Sequence, residues 1–162
     1  MAYYLRAFCP GGPVPPLATL LAWAAEHGVR LWLDANAADS DPMAADWAEA
    51  AVCYATDRRP LRLTVDRDDG DAESLVRTEV AEFLEAVAAT PESAARLFVA
   101  AHLRQTRFVV ACRLPPDSDE MAYRAAVALL DYFAERCGGL VQADGEGFYV
   151  GDEVILPLHW EE

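Results

Sequence analysis

Hydrophobic and polar positions recur along the chain with two different periods, and the switches between them lay out the elements. Tyr3 to Cys9 alternates with period two and halts at Pro10-Gly11-Gly12-Pro13, which predicts a strand followed by a turn. From about Pro16 to His27 the spacing becomes helical. Leu17, Leu20, Leu21 and Ala24 share one face, Pro15 and Pro16 open the helix, and Gly28 is suited to close it. Val29 to Asp34 returns to alternation and predicts a second strand; residues 35–46 are polar and predict a flexible connection. Trp47 to Tyr54 and Leu61 to Asp66 predict two further strands joined by a turn over 56–60, although the alanines of the first leave a helix open. An acidic loop, 66–71, then leads into a helix to about Ala89, with Leu75, Val76, Val80, Phe83, Leu84 and Val87 as its apolar stripe. Thr90 as cap and Pro91 in the first turn predict another helix to about Leu103.

The pattern then begins again. Arg107 to Leu114 predicts a strand closed by Pro115-Pro116, and Asp117 with Glu120 predicts the capped start of a long helix ending at Cys137-Gly138-Gly139. Leu140 to Ala143, Gly147 to Val150 and Glu153 to Leu158 read as three short strands, with turns at Asp144-Gly145 and Gly151-Asp152. Residues 1–67 and 107–158 thus share the order strand, helix, then further strands, with 71–104 as a helical connector. The expectation is one α+β domain over residues 1–162, its sheet mostly antiparallel, its helices on one face, in a ferredoxin-like arrangement of two pseudo-repeated halves.

If helices cover one face only, strand parity names the residues of the other. Tyr4, Arg6 and Phe8 oppose Leu5, Ala7 and Cys9; Arg30, Trp32 and Asp34 oppose the aliphatics of their strand; Arg62, Thr64 and Asp66 do the same, as do Arg107, Val109, Ala111 and Arg113. An arginine on the open face of four strands is the least ordinary feature of the chain. Arg6, Arg30, Trp32, Arg62 and Arg113 are therefore the candidate binding residues, for a protein partner or a small anionic ligand. Cross-strand pairs with acids, such as Arg30 with Asp66, are the alternative account of the same arginines.

Charge sharpens this picture. With 27 acids against 13 bases the formal charge is −14, which disfavours nucleic acid and anionic membranes as partners. Every base is an arginine, so Schiff-base lysines and the lysine of a phosphate-binding Walker loop are excluded. The alanine and arginine bias points to a GC-rich, bacterial genome. At 162 residues and 54% hydrophobic the chain is long and apolar enough for one buried core. No basic stretch followed by an apolar run opens the sequence, and the four cysteines at 9, 53, 112 and 137 are far apart, so a reduced, cytoplasmic protein is expected.

Conventional motifs fail on spacing. An EF-hand started at Asp66 places Gly70 one position early and Arg77 where the last carboxylate belongs. Asp144-Gly145-Glu146-Gly147 lacks the third glycine of a dinucleotide loop and precedes a strand. It reads as a hairpin turn whose Asp144 and Glu146 form a candidate polar pair. His27, His102 and His159 are scattered and suggest no metal. Cys9, beside a Pro-Gly-Gly turn, is the best-placed thiol, yet it shares parity with Leu5 and Ala7. The functional expectation is a non-enzymatic interaction or small-ligand-binding domain without a cofactor, with a homodimer burying the arginine face as one form. A small enzyme built on Asp144, Glu146 and Cys9 is the alternative.

Overall fold

In the computed structural model, which describes residues 3–34, 41–71 and 74–159, the first strand of the chain becomes the middle of the sheet. β1 (Tyr3–Cys9) pairs antiparallel with both β5 (Phe108–Leu114) and β6 (Leu140–Ala143). Outward from β5 lie β4 (Leu61–Arg67), β3 (Glu49–Cys53) and β2 (Trp32–Leu33); outward from β6 lie β7 (Gly147–Val150) and β8 (Glu153–Pro157). The result is one open, fully antiparallel sheet of eight strands in the order β2-β3-β4-β5-β1-β6-β7-β8. Among the described residues four helices accompany it: α1 (Leu17–Glu26), α2 (Leu75–Ala88), α3 (Ala94–Arg104) and α4 (Glu120–Arg136). The chain is α+β. Among the described residues no helix is long and apolar enough to cross a membrane.

The helices do not share one face of the sheet, which corrects the expectation of a single covered side. α1 and α4 pack on the side of Leu5, Ala7 and Cys9, together with Leu63, Val65, Val110 and Cys112. α2 and α3 pack on the other side, where Val76, Phe83, Val87, Val99 and Leu103 meet Phe8, Val109, Leu140, Phe148 and Leu156. The physical reason lies in the make-up of that second side. It is polar toward β3 and β4 but apolar toward β6 to β8, and the apolar part has to be buried like any other. Full burial of each of Phe8, Phe83 and Phe148 contributes roughly 1.5–3 kcal/mol. Their rings meet at 5.2 Å (Phe8–Phe83), 6.0 Å (Phe83–Phe148) and 6.1 Å (Phe8–Phe148).

The element order strand-helix-strand-strand-strand occurs twice, as β1-α1-β2-β3-β4 and β5-α4-β6-β7-β8, with α2 and α3 between. The two runs thread the sheet in opposite senses. The first crosses to the edge strand β2 and works back toward the centre, whereas the second crosses over β1 alone and works outward to β8. The expected bare face is therefore replaced by one that carries helices over part of its area, on an open sheet of eight strands.

Local sequence explains most boundaries. α1 ends in a Schellman motif: Gly28 takes φ +81°, the Val29 amide donates to Ala24 O at 2.9 Å and the Gly28 amide to Ala25 O at 3.0 Å. That exit uses the Val29 amide, so the strand expected from Val29 is reduced to Trp32–Leu33. Glu49–Cys53 is a strand, and the helical alternative is not adopted. Two caps differ from expectation. α3 is capped by Ser93, whose Oγ accepts from the Arg96 amide at 3.0 Å, while Thr90 closes α2 by donating to Val87 O at 2.6 Å. α4 is capped by Asp119, which accepts from the Ala122 amide, because Asp117 is held by Arg59 at 2.8 Å. Of the polar connection expected at 35–46, residues 35–40 lie outside the described residues, as do Met1, Ala2, Ala72, Glu73 and 160–162.

Gly147 opens β7 at φ +135°, where a Cβ would collide with the Leu156 carbonyl oxygen and lie 2.8 Å from Pro157 Cα. Both neighbours are backbone of the paired strand and cannot swing aside. Gly147→Ala is expected to cost about 2–4 kcal/mol from overpacking and backbone strain. A thermal midpoint equal to that of the native chain would contradict the tight approach of β7 and β8.

Candidate functional site

Register places three of the sequence-predicted residues on one side of the sheet. Arg62 of β4 stands opposite Arg113 of β5, and Arg113 stands opposite Tyr4 of β1. One row further along, Thr64, Ala111, Arg6 and Gln142 line up in the same way. Trp32 joins this side through its pairing with Cys53 and is partly exposed. Arg30 lies before β2, outside any strand, and β2 pairs only with β3. The Arg30–Asp66 pair considered from sequence does not form across strands, since Asp66 sits on β4 opposite Val109.

The arginines differ sharply in how they are engaged. Arg6 is the centre of a half-buried polar network. Its Nε donates to Glu79 of α2 at 2.6 Å, and its Nη1 donates to Asp144 at 2.7 Å and to Gln142 at 2.8 Å. Gln142 is fully buried, and its Nε2 donates to Asp144 at 3.2 Å. The other Asp144 oxygen accepts the Tyr4 amide at 3.1 Å. The guanidinium also lies 4.9 Å from the Tyr4 ring and 5.3 Å from the Phe83 ring. Burial pushes the Glu79 carboxyl up from its ordinary range, against the opposing pull of Arg6. Arg6 is thus a fastener between β1, β6 and α2. Arg62 and Arg113 are exposed; Arg62 pairs with Glu49 of the neighbouring strand.

Between these residues and α2 lies a cleft of about 250 Å³, lined by Tyr4, Arg6, Arg62, Thr64, Asp66, Glu79, Ala111 and Arg113. Glu79 was not among the sequence candidates. A signal for it existed: with Val76 and Phe83 it occupies one helical stripe, so it is a charge on the face of α2 turned to the sheet.

Asp144 and Glu146 do not form a pair. Asp144 engages Arg6 and Gln142 on the α2 side of the sheet. Glu146 accepts from Tyr3 at 2.7 Å and from Tyr123 of α4 at 3.1 Å on the α4 side. Burial and the adjoining carboxylate push both tyrosine hydroxyls well above their ordinary range. The thiols are equally withdrawn. Cys9 is fully buried and burial raises its thiol strongly, while Cys112, also buried, is pushed up to about 12. His27 caps α1 through Trp23 O at 2.8 Å, and His102 Nε2 lies 2.9 Å from Phe8 O. Among the described residues no group of three or more His, Cys, Asp or Glu converges to hold a metal ion.

No family model matches the chain, and no curated protein and no solved structure is significantly similar to it. The functional reading therefore rests on geometry alone.

Proposed function

We propose that the chain is a non-enzymatic binding domain whose ligand carries a carboxylate or phosphate group, held at Arg62 and Arg113. The observation that supports this reading is their placement directly opposite one another on adjacent strands, both exposed at the mouth of one cleft. Like charges facing each other across a sheet are unfavourable for folding. Glu49 already offsets part of that cost at Arg62, and an oxyanion between the two arginines relieves the remainder and gains charge-assisted hydrogen bonds. Tyr4 and Thr64 flank the position and add a ring and a hydroxyl.

The reading makes opposite predictions for binding and stability. Arg113→Glu places a carboxylate opposite Arg62 and is expected to raise stability by about 0.2–1 kcal/mol. The same change is expected to abolish the thermal stabilisation conferred by citrate or inorganic phosphate, with affinity reduced at least tenfold. Titration calorimetry at matched ionic strength, with chloride as control, measures this. Equal binding by the variant, or equal stabilisation by chloride, would remove the arginine pair from the site.

A further inference from the structure

Away from the arginine cleft, a groove of about 680 Å³ lies between α4 and the strands β6 and β7, and it is lined also by the β7–β8 turn and by Phe98 and His102 of α3, the helix packed against the other side of the sheet. Its floor is apolar, including Leu130, Val141 and Tyr149. Around it Phe98 of α3, Val127 of α4 and Val150 of β7 are 51%, 43% and 51% exposed. Three large apolar side chains left in water around one depression form a patch that the fold itself does not cover. Asp131 and Glu135 of α4 and Asp152 of the turn also line it, and among the described lining residues the single basic one is His102. The acids are close enough to feel one another. Burial raises the Asp131 carboxyl and the charges of Glu135 and Asp152 raise it further, with His27 opposing.

We propose that this groove docks a basic amphipathic helix of a partner protein, its apolar side chains on the floor between Val127 and Val150 and its cationic side chains against Asp131, Glu135 and Asp152. Walls formed by a helix on one side and a strand pair on the other suit a docked helix with anchors at positions i, i+3/i+4 and i+7. Charge selects among such helices: an acidic one meets three carboxylates and a chain of formal charge −14, whereas a basic one is steered in.

The test uses the full chain and two fluorescent sixteen-residue peptides with leucine on one helical face and either lysine or glutamate on the other, followed by anisotropy. The lysine peptide is expected to bind at least tenfold more tightly than the glutamate peptide. Val127→Glu separates a groove from mere attraction between opposite charges, because it adds negative charge while spoiling the floor. The groove predicts at least a tenfold loss for this variant, whereas general attraction predicts binding unchanged or tighter, which would overturn the proposal. Val150→Glu, on the opposite wall, is expected to give the same loss and guards against a local folding defect at Val127. Glu135→Gln with Asp152→Asn is expected to weaken binding several-fold and to reduce its salt dependence. Equal binding of both peptides, or a self-associated chain that Val127→Glu converts to monomer, would also overturn the assignment.

Discussion

Arg6→Met is expected to destabilise the chain by about 3 kcal/mol at neutral pH, the lower end of the range for breaking a buried ion pair from one side, because the network is only half-buried. The methionine fills much of the volume, so the loss reports the network rather than a cavity. Glu79 and Asp144 would be left without the cation between them, and Gln142, fully buried, would lose the donor to its side-chain oxygen. The pH dependence of the deficit distinguishes this mechanism. Burial raises the folded-state pKa of Glu79, so the folded chain holds that proton to higher pH than the unfolded chain does. Stability from this group is therefore lost as pH rises from the ordinary carboxylate range through the raised value, and recovered on acidification. Without Arg6 the carboxyl rises further. The gap between variant and native chain should accordingly narrow between pH 7 and pH 5, as measured by urea unfolding at both values. A deficit independent of pH would mean that Arg6 contributes packing only.

Phe83→Ala is expected to cost about 3–5 kcal/mol, as for other large-to-small changes at buried aromatic positions. The ring touches Phe8 and Phe148 and lies under the Arg6 guanidinium, so it holds α2 to the sheet and Glu79 in reach of Arg6. The two predictions are linked. In a double-mutant cycle, Arg6→Met and Phe83→Ala should fall short of additivity, because either change alone already loosens the contact the other would break. Full additivity would place the cation and the ring in separate energetic units.

The positions of β1 and of β4 to β8 were legible to within a residue because proline, glycine or acidic turns bound most of these apolar runs. The caps were less so. Thr90 and Asp117 are chemically good caps, but tertiary partners decide the matter: Val87 O takes the Thr90 hydroxyl and Arg59 takes Asp117. Parity correctly brought Arg6, Arg62, Arg113 and Trp32 to one side of the sheet. It failed to show that α2 would lie across part of that side, because parity separates the faces of a strand and says nothing of how a face changes along the sheet. Phe8 has the parity of Arg6 yet belongs to a buried aromatic cluster. Glu79, on the apolar stripe of α2, and Gln142, within an apolar strand, were not picked out from the sequence; their shared partner could be named only once β1 was placed beside β6.

That placement shapes how the chain reaches its native state. β1 is synthesised before both of its partners: Arg6 finds its strand neighbours only at Ala111 and Gln142, more than a hundred positions later. Until then its backbone donors and acceptors on both edges have only water or improper partners. Closure of such long loops makes assembly slow relative to a helical bundle of equal size, and it leaves β1 in need of protection from aggregation until β5 and β6 are made.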